Sequence, residues 1–180
     1  MKHMSDVFSN SPNRDFVLKR FQVMLQSCSR ANLAAPYFTK ADDILGAAKA
    51  GKSINLLIGL NPSTSPQALK LVFGVPNITV RYFTGRFHAK IFIFDDHVLV
   101  GSSNLTEGGL FGNREATVCL NPQADFQRIE DLKAIFADLW NAAATLSEGI
   151  LNTFRLTLDA MPKITGLERQ VEQAVGRLLI

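Results

Sequence analysis

The sequence is short of the residues that several protein classes require. Only two cysteines are present, Cys28 and Cys119, far apart and in apolar settings. That spacing offers neither a disulfide framework nor a thiolate zinc site, and it fits buried free thiols in a reducing, cytoplasmic compartment. No run approaches the roughly 18 apolar residues of a membrane span. The best candidate, residues 54–60, is short and stops at Asn61-Pro62. The first residues lack the apolar segment of a secretory signal. Charge of one sign is not in excess either. A net charge of +3 is only weak electrostatic evidence for a polyanionic partner. No acidic cluster is available for magnesium, so no metal and no other cofactor is expected.

What is abundant is core-forming material. Apolar residues make up 47% of the 180 and charged residues 19%, with thirteen phenylalanines, which excludes disorder and suits one globular domain. Residues 1–12 read as a flexible lead. Asn13 can cap a helix over residues 14–29, where Phe16, Val17, Phe21, Met24 and Leu25 share one stripe. Residues 32–38 then read as a strand, 40–50 as a helix, 53–60 as a buried strand, 67–73 as a helix and 78–83 as a strand. Strands separated by helices imply crossover units and a largely parallel sheet. The next two strands, residues 87–94 and 98–101, have only Asp95-Asp96-His97 between them and must form an antiparallel hairpin. Residues 105–113 are glycine-rich and read as a loop, and 114–120 as a strand. The remainder is helical: 125–142, 146–156 and an amphipathic stretch over 167–180. The fold class expected is α/β: a mixed, mostly parallel central sheet with helices on both faces and a C-terminal helical extension. A catalytic domain over 13–158 is followed by the extension at 159–180.

One stretch interrupts the apolar pattern with chemistry. Residues 87–104 read FHAKIFIFDDHVLVGSSN. Alternate strand residues share a face, so His88 and Lys90 point the same way, about 7 Å apart. Ser102 and Asn104 share a parity on the following stretch, and hairpin pairing can set them beside the first pair. An imidazole, an ammonium, a hydroxyl and an amide converging in this way suit a phosphate. A neutral imidazole can attack phosphorus or move a proton. Singly, each residue is more often an ordinary surface or core group. Together on the core side of a central strand they cost free energy unless paired or used. His97 sits in the turn, where a polar residue is ordinary.

These residues resemble the signature of the phospholipase D superfamily, His-x-Lys-x4-Asp followed by Gly-Ser-x-Asn. Here it stands as His88-Ala89-Lys90, Asp95 and Gly101-Ser102-Ser103-Asn104, with a gap before the glycine one residue shorter than the family's usual spacing. Asn113-Arg114-Glu115 is similar to the Asn-x-Glu segment of the family's small nucleases, and residues 34–38 resemble its first strand. The resemblance implies that His88 is a nucleophile forming a phosphohistidine, and that Lys90, Ser102 and Asn104 bind phosphate oxygens. It implies that Glu115 orients a histidine, and that Asp95, with Ser103, is supporting. Family members need two such motifs, and this chain has one. The resemblance therefore implies a homodimer in which two copies of His88 face one phosphate.

The activity expected is a metal-independent nuclease of phospholipase D type, an endonuclease on DNA more than RNA, with a fused or separate helicase or restriction partner. Arg81, Arg86 and Arg114 are candidates to track the nucleic-acid backbone. Two other classes stay open. One is a non-catalytic module binding nucleic acid or phosphate. The other is a lipid phosphodiesterase or phosphatidyl transferase, for which no basic amphipathic helix or membrane anchor speaks.

Overall fold

The computed structural model of the protein describes residues 6–11 and 15–161. The first half runs β1 (Asp6–Phe8), α1 (Val17–Ser27), β2 (Arg30–Ala35), α2 (Asp42–Lys49), β3 (Ser53–Gly59), α3 (Pro66–Val72) and β4 (Ile78–Phe83). The second runs β5 (Ile91–Phe94), β6 (His97–Gly101), a π-helical turn (Gly108–Gly112), β7 (Thr117–Leu120), α4 (Pro122–Ala142), β8 (Ala144–Thr145) and α5 (Glu148–Ala160).

The described strands form one sheet in the order β1-β7-β6-β5-β2-β3-β4-β8. Helices α2 and α3 are crossovers, so β2, β3 and β4 are parallel neighbours. All other neighbouring pairs are antiparallel: β1 with β7, β7 with β6, β6 with β5, β5 with β2, and β4 with β8. The sheet is thus mixed, as expected, but mostly antiparallel and not mostly parallel. Helix–strand alternation ends at β4: β5 and β6, joined by a two-residue turn, can only pair antiparallel, and the other antiparallel pairs join strands separated by longer segments.

Alternation along the strands feeds two cores. Leu33, Leu56, Ile58, Phe92 and Phe94 pack on one face with Val17, Phe21, Ile44, Leu69 and Leu151 from α1, α2, α3 and α5. Ala34, Leu57, Ile91, Ile93 and Val98 pack on the other with Ile129 and Phe136 of α4. Phe21 meets the rings of Phe92 and Phe94 edge-on at 5.7 and 5.6 Å. Each such pair adds about 0.5–1.5 kcal/mol beyond burial. After α4, strand β8 pairs with β4 at the sheet edge, which lets the chain pass to the opposite face and lay α5 against α3. No helix among the described residues is long and apolar enough to cross a membrane.

Three local expectations change. Residues 6–8, read as part of a flexible lead, are an edge strand on β7. Just after it, buried Asn10 accepts from Val17 N (2.9 Å) and donates to Gly109 O (3.0 Å), so it caps α1 and clamps the π-helical turn. Asn13, the expected cap, and the amphipathic stretch at 167–180 lie outside the described residues. The glycine-rich loop contains that π-helical turn, because Gly109 lies flat against Asn104: a Cβ there would stand 2.5 Å from Asn104 N and O.

The hairpin turn depends on Asp95. It takes a φ of +50°, the left-handed conformation that two-residue hairpins demand of their first turn residue. Its carboxylate accepts from Ser29 N (2.8 Å) and Arg30 N (2.9 Å), tying the hairpin to the start of β2. Asp95 is therefore structural. Replacing it by Ala forfeits both bonds and keeps the strained φ. Asp95→Ala is expected to lower stability by about 2 kcal/mol in urea unfolding, and Asp95→Asn by about half of that.

Candidate active site

The site lies where β5 and β6 meet their flanking segments. Regular pairing of β5 starts at Ile91, not at residue 87, so His88, Ala89 and Lys90 form an extended approach to the strand. Lys90 is 9% exposed, and its ammonium lies 3.2 Å from His88 Nδ1 and 3.5 Å from Nε2. It also donates to His88 O at 3.0 Å. An ammonium has donors only, so a hydrogen bond from Lys90 to the ring would go to a nitrogen carrying a lone pair. Burial pulls the Lys90 ammonium below the usual lysine value of 10.5, and the carboxylate of Glu115 opposes that pull. The His88 ring is exposed, and Tyr37, from the loop after β2, meets it edge-on at 6.2 Å.

The Gly-Ser-Ser-Asn segment is held against β7 by close backbone approach. A Cβ on Gly101 would stand 2.1 Å from Ala116 O and 2.6 Å from Thr117 Cα, so only glycine fits. Ser102 N donates to Ala116 O (3.0 Å), and Ser102 Oγ accepts from Ala116 N (2.9 Å) while donating to Glu115 Oε2. Buried Ser103 bonds Thr117 Oγ1 at 2.7 Å. Leu105 O accepts from Thr39 N (3.0 Å) and Lys40 N (3.2 Å), and Leu105 bridges to Phe38. Asn104 is therefore fixed on both sides of its own backbone and underneath by Gly109. Its Oδ1 is buried and without a hydrogen-bond partner. Such a group costs roughly 1–3 kcal/mol unless something donates to it. A half-turn of the amide would instead present the NH₂ to a phosphate oxygen.

The structure thus brings His88 and Lys90 into contact, Ser102 and Glu115 into contact, and places Glu115 in the field of Lys90. Two details differ from expectation. The bonded partner of Glu115 is Ser102 Oγ, not a histidine ring, so Ser102's own donor is engaged. Arg81 is engaged within the fold: its Nη1 donates to Trp140 O at 2.6 Å and its guanidinium lies 5.0 Å from the Trp140 ring centroid. It anchors the end of α4 to β4. Arg86 and Arg114 are exposed. Among the described residues no group of three His, Cys, Asp or Glu side chains could hold a metal ion.

Sequence reasoning missed Thr117, Gly109, Asn10 and Tyr37. Gly109 had a signal, being one of three glycines within residues 108–112, but its reason is a contact five residues back in the chain. Asn10 and Thr117 act across elements distant in sequence and carried none.

Fold and site together define a phosphodiester-handling domain. A family model described as the phospholipase D-like domain of cardiolipin synthase matches residues 21–140. The chain belongs to the phospholipase D-like family. It is similar to the minor cardiolipin synthase ClsB of Bacillus subtilis, 24% identical over 166 residues, which cover 86% of this chain and 38% of that protein. Among solved structures it is similar to NucT from Helicobacter pylori, with a TM-score of 0.69 and 18% identity over 79% of this chain and 99% of that one. It is also similar to Nuc, a phospholipase D family member from Salmonella typhimurium, with a TM-score of 0.61 and 23% identity over 81% of this chain and 99% of the other.

The Lys90–Glu115 field has a testable sign. The Lys90 ammonium is lost at lower pH than an ordinary lysine's, so phosphate binding should fall on the alkaline side before pH 10.5. Glu115→Gln removes the charge that raises Lys90 and should move that limb to still lower pH. An NMR titration of the Lys90 side chain, with and without inorganic phosphate, reads both. An alkaline limb that stays put in Glu115→Gln contradicts the coupling.

Proposed function

We propose that the protein is a nuclease that cleaves nucleic acid without a metal, through a phosphohistidine at a site shared by two copies of the chain. The observation that carries this reading is the buried ammonium of Lys90 against the exposed ring of His88. It pairs a fixed positive charge for the phosphate with a nucleophile left open to a large substrate. His88 attacks phosphorus, a nitrogen–phosphorus bond forms, and the bond to the leaving oxygen breaks. His88 of the partner subunit protonates that oxygen. It then takes a proton from water as the water attacks phosphorus and frees the histidine. Lys90 and the Asn104 amide hold the non-bridging oxygens, whose charge grows in the transition state. Ser102 contributes where Glu115 gives up its hydroxyl.

The nucleic-acid reading is supported by the likeness of fold to Nuc and NucT and by the exposed approach to the His88 ring. In the phospholipase D superfamily, single-motif members resemble the small nucleases that work as dimers. DNA is the expected substrate, with Arg86 and Arg114 as backbone contacts. The lipid reading rests on the family model and on that relative, and it requires a phosphatidyl group in place of the nucleotide.

Incubation with single- and double-stranded DNA and RNA in EDTA is expected to show cleavage of at least one of these nucleic acids. His88→Ala should reduce the rate by about a thousandfold or more, and light scattering should report a dimer. Transphosphatidylation of phosphatidylglycerol vesicles without nucleic-acid cleavage would favour the lipid reading. Nucleic-acid binding without turnover of either substrate would favour a binding module.

A further inference from the structure

Beside His88 lies a second feature that the phosphate chemistry does not use. A cleft of about 350 Å³ opens at the carboxyl ends of β3 and β4 and reaches the site through His88, the one catalytic candidate that lines it. Its volume is at the small end for ligand pockets, about 300–1,000 Å³, and admits one nucleoside-sized group, not a double helix. In open α/β sheets, crevices outside the carboxyl ends of parallel strands are where ligands bind. Here the parallel strands β2, β3 and β4 give way to antiparallel β5.

The walls say what kind of group fits. Phe83 and Phe87 stack on one another at 5.2 Å and present an aromatic surface. Tyr37 adds a third ring. Arg86, exposed at a φ of +52°, supplies the cleft's one cation, and no carboxylate lines it. A cationic headgroup such as choline would meet aromatic rings but also an uncompensated guanidinium, which repels it. A neutral planar base followed by a further phosphate meets stacking surface and a matching positive charge.

We infer that this cleft is a nucleoside subsite that takes one unstacked base next to the scissile phosphate, so that the substrate is single-stranded nucleic acid. In a duplex the base stays stacked and paired, and its extrusion costs free energy that a single strand does not spend. Aromatic stacking of a lone base is tolerant of sequence, so the subsite selects strandedness and not a particular base. The inference rests on the nuclease reading for its chemistry, but its ligand can be tested separately.

The test compares a short fluorescent oligothymidylate with the same backbone built from base-less tetrahydrofuran residues. Cleavage in EDTA and binding by fluorescence anisotropy are both read. Wild type is expected to favour the base-bearing strand by about tenfold or more, the range that stacking a base on protein aromatics brings. Ser63 and Thr84 are exposed and line the cleft. Ser63→Trp and Thr84→Trp, each checked for an unchanged melting profile, should fill it from two elements and remove that preference. Equal handling of the two strands by wild type overturns the inference, and so does a preference that survives in both folded blocking variants. Base-dependent binding without cleavage sustains the subsite and counts against the nuclease reading. No binding of either strand overturns the subsite.

Discussion

Everything in this molecule depends on how strand β5 is buried from both sides. Ile91 and Ile93 enter the core under α4, and Phe92 and Phe94 enter the core under α1. The strand cannot slip by one residue without exchanging the two cores. Asp95 closes it by gripping the amides of Ser29 and Arg30, so the hairpin's far end is fixed to the start of β2. With the strand so held, the residues just before it have no freedom of register. His88 and Lys90 emerge on one side because Phe92 and Phe94 are committed to that parity. The site is a consequence of core packing projected past the end of a strand.

The same constraint explains how much could be read from the sequence. The hairpin, the parity of His88 and Lys90, the three parallel strands and helices on both faces follow from periodicity and turn chemistry, which are local. What was not legible is what two distant segments do to each other. Antiparallel pairing of β5 with β2 and of β1 with β7 leaves no local trace, so the sheet read as mostly parallel. Arg81 looked like a free surface cation because its partner, Trp140, is 59 residues away. Asn10 sits in a stretch whose composition suits a lead, yet one buried amide holds both α1 and the turn beneath Asn104. The role of Ser103 needed Thr117, and the packing of Gly109 needed Asn104.

The site is also polarised in a way that residue types alone do not convey. Its cation, Lys90, is buried and the His88 ring is exposed, the arrangement expected if a bound substrate covers the ring. Glu115 shares its charge between Lys90's environment and Ser102's hydroxyl, so binding, pH response and hydrogen-bond availability at this site are linked. The buried, unpartnered oxygen of Asn104 adds to this picture of a site built for an occupant. The aromatic cleft beyond His88 extends the same logic from the phosphate to what is attached to it.

The central claim is that His88 itself takes the phosphorus. The direct measurement is to mix the protein with a short oligonucleotide in EDTA, quench within the first turnover in alkaline denaturant, which preserves phosphorus–nitrogen bonds, and digest for mass spectrometry. The account predicts a nucleotidyl adduct on the peptide carrying His88, absent from Lys90→Ala protein that binds but does not react. Efficient cleavage with no adduct, or an adduct on another residue, would contradict it.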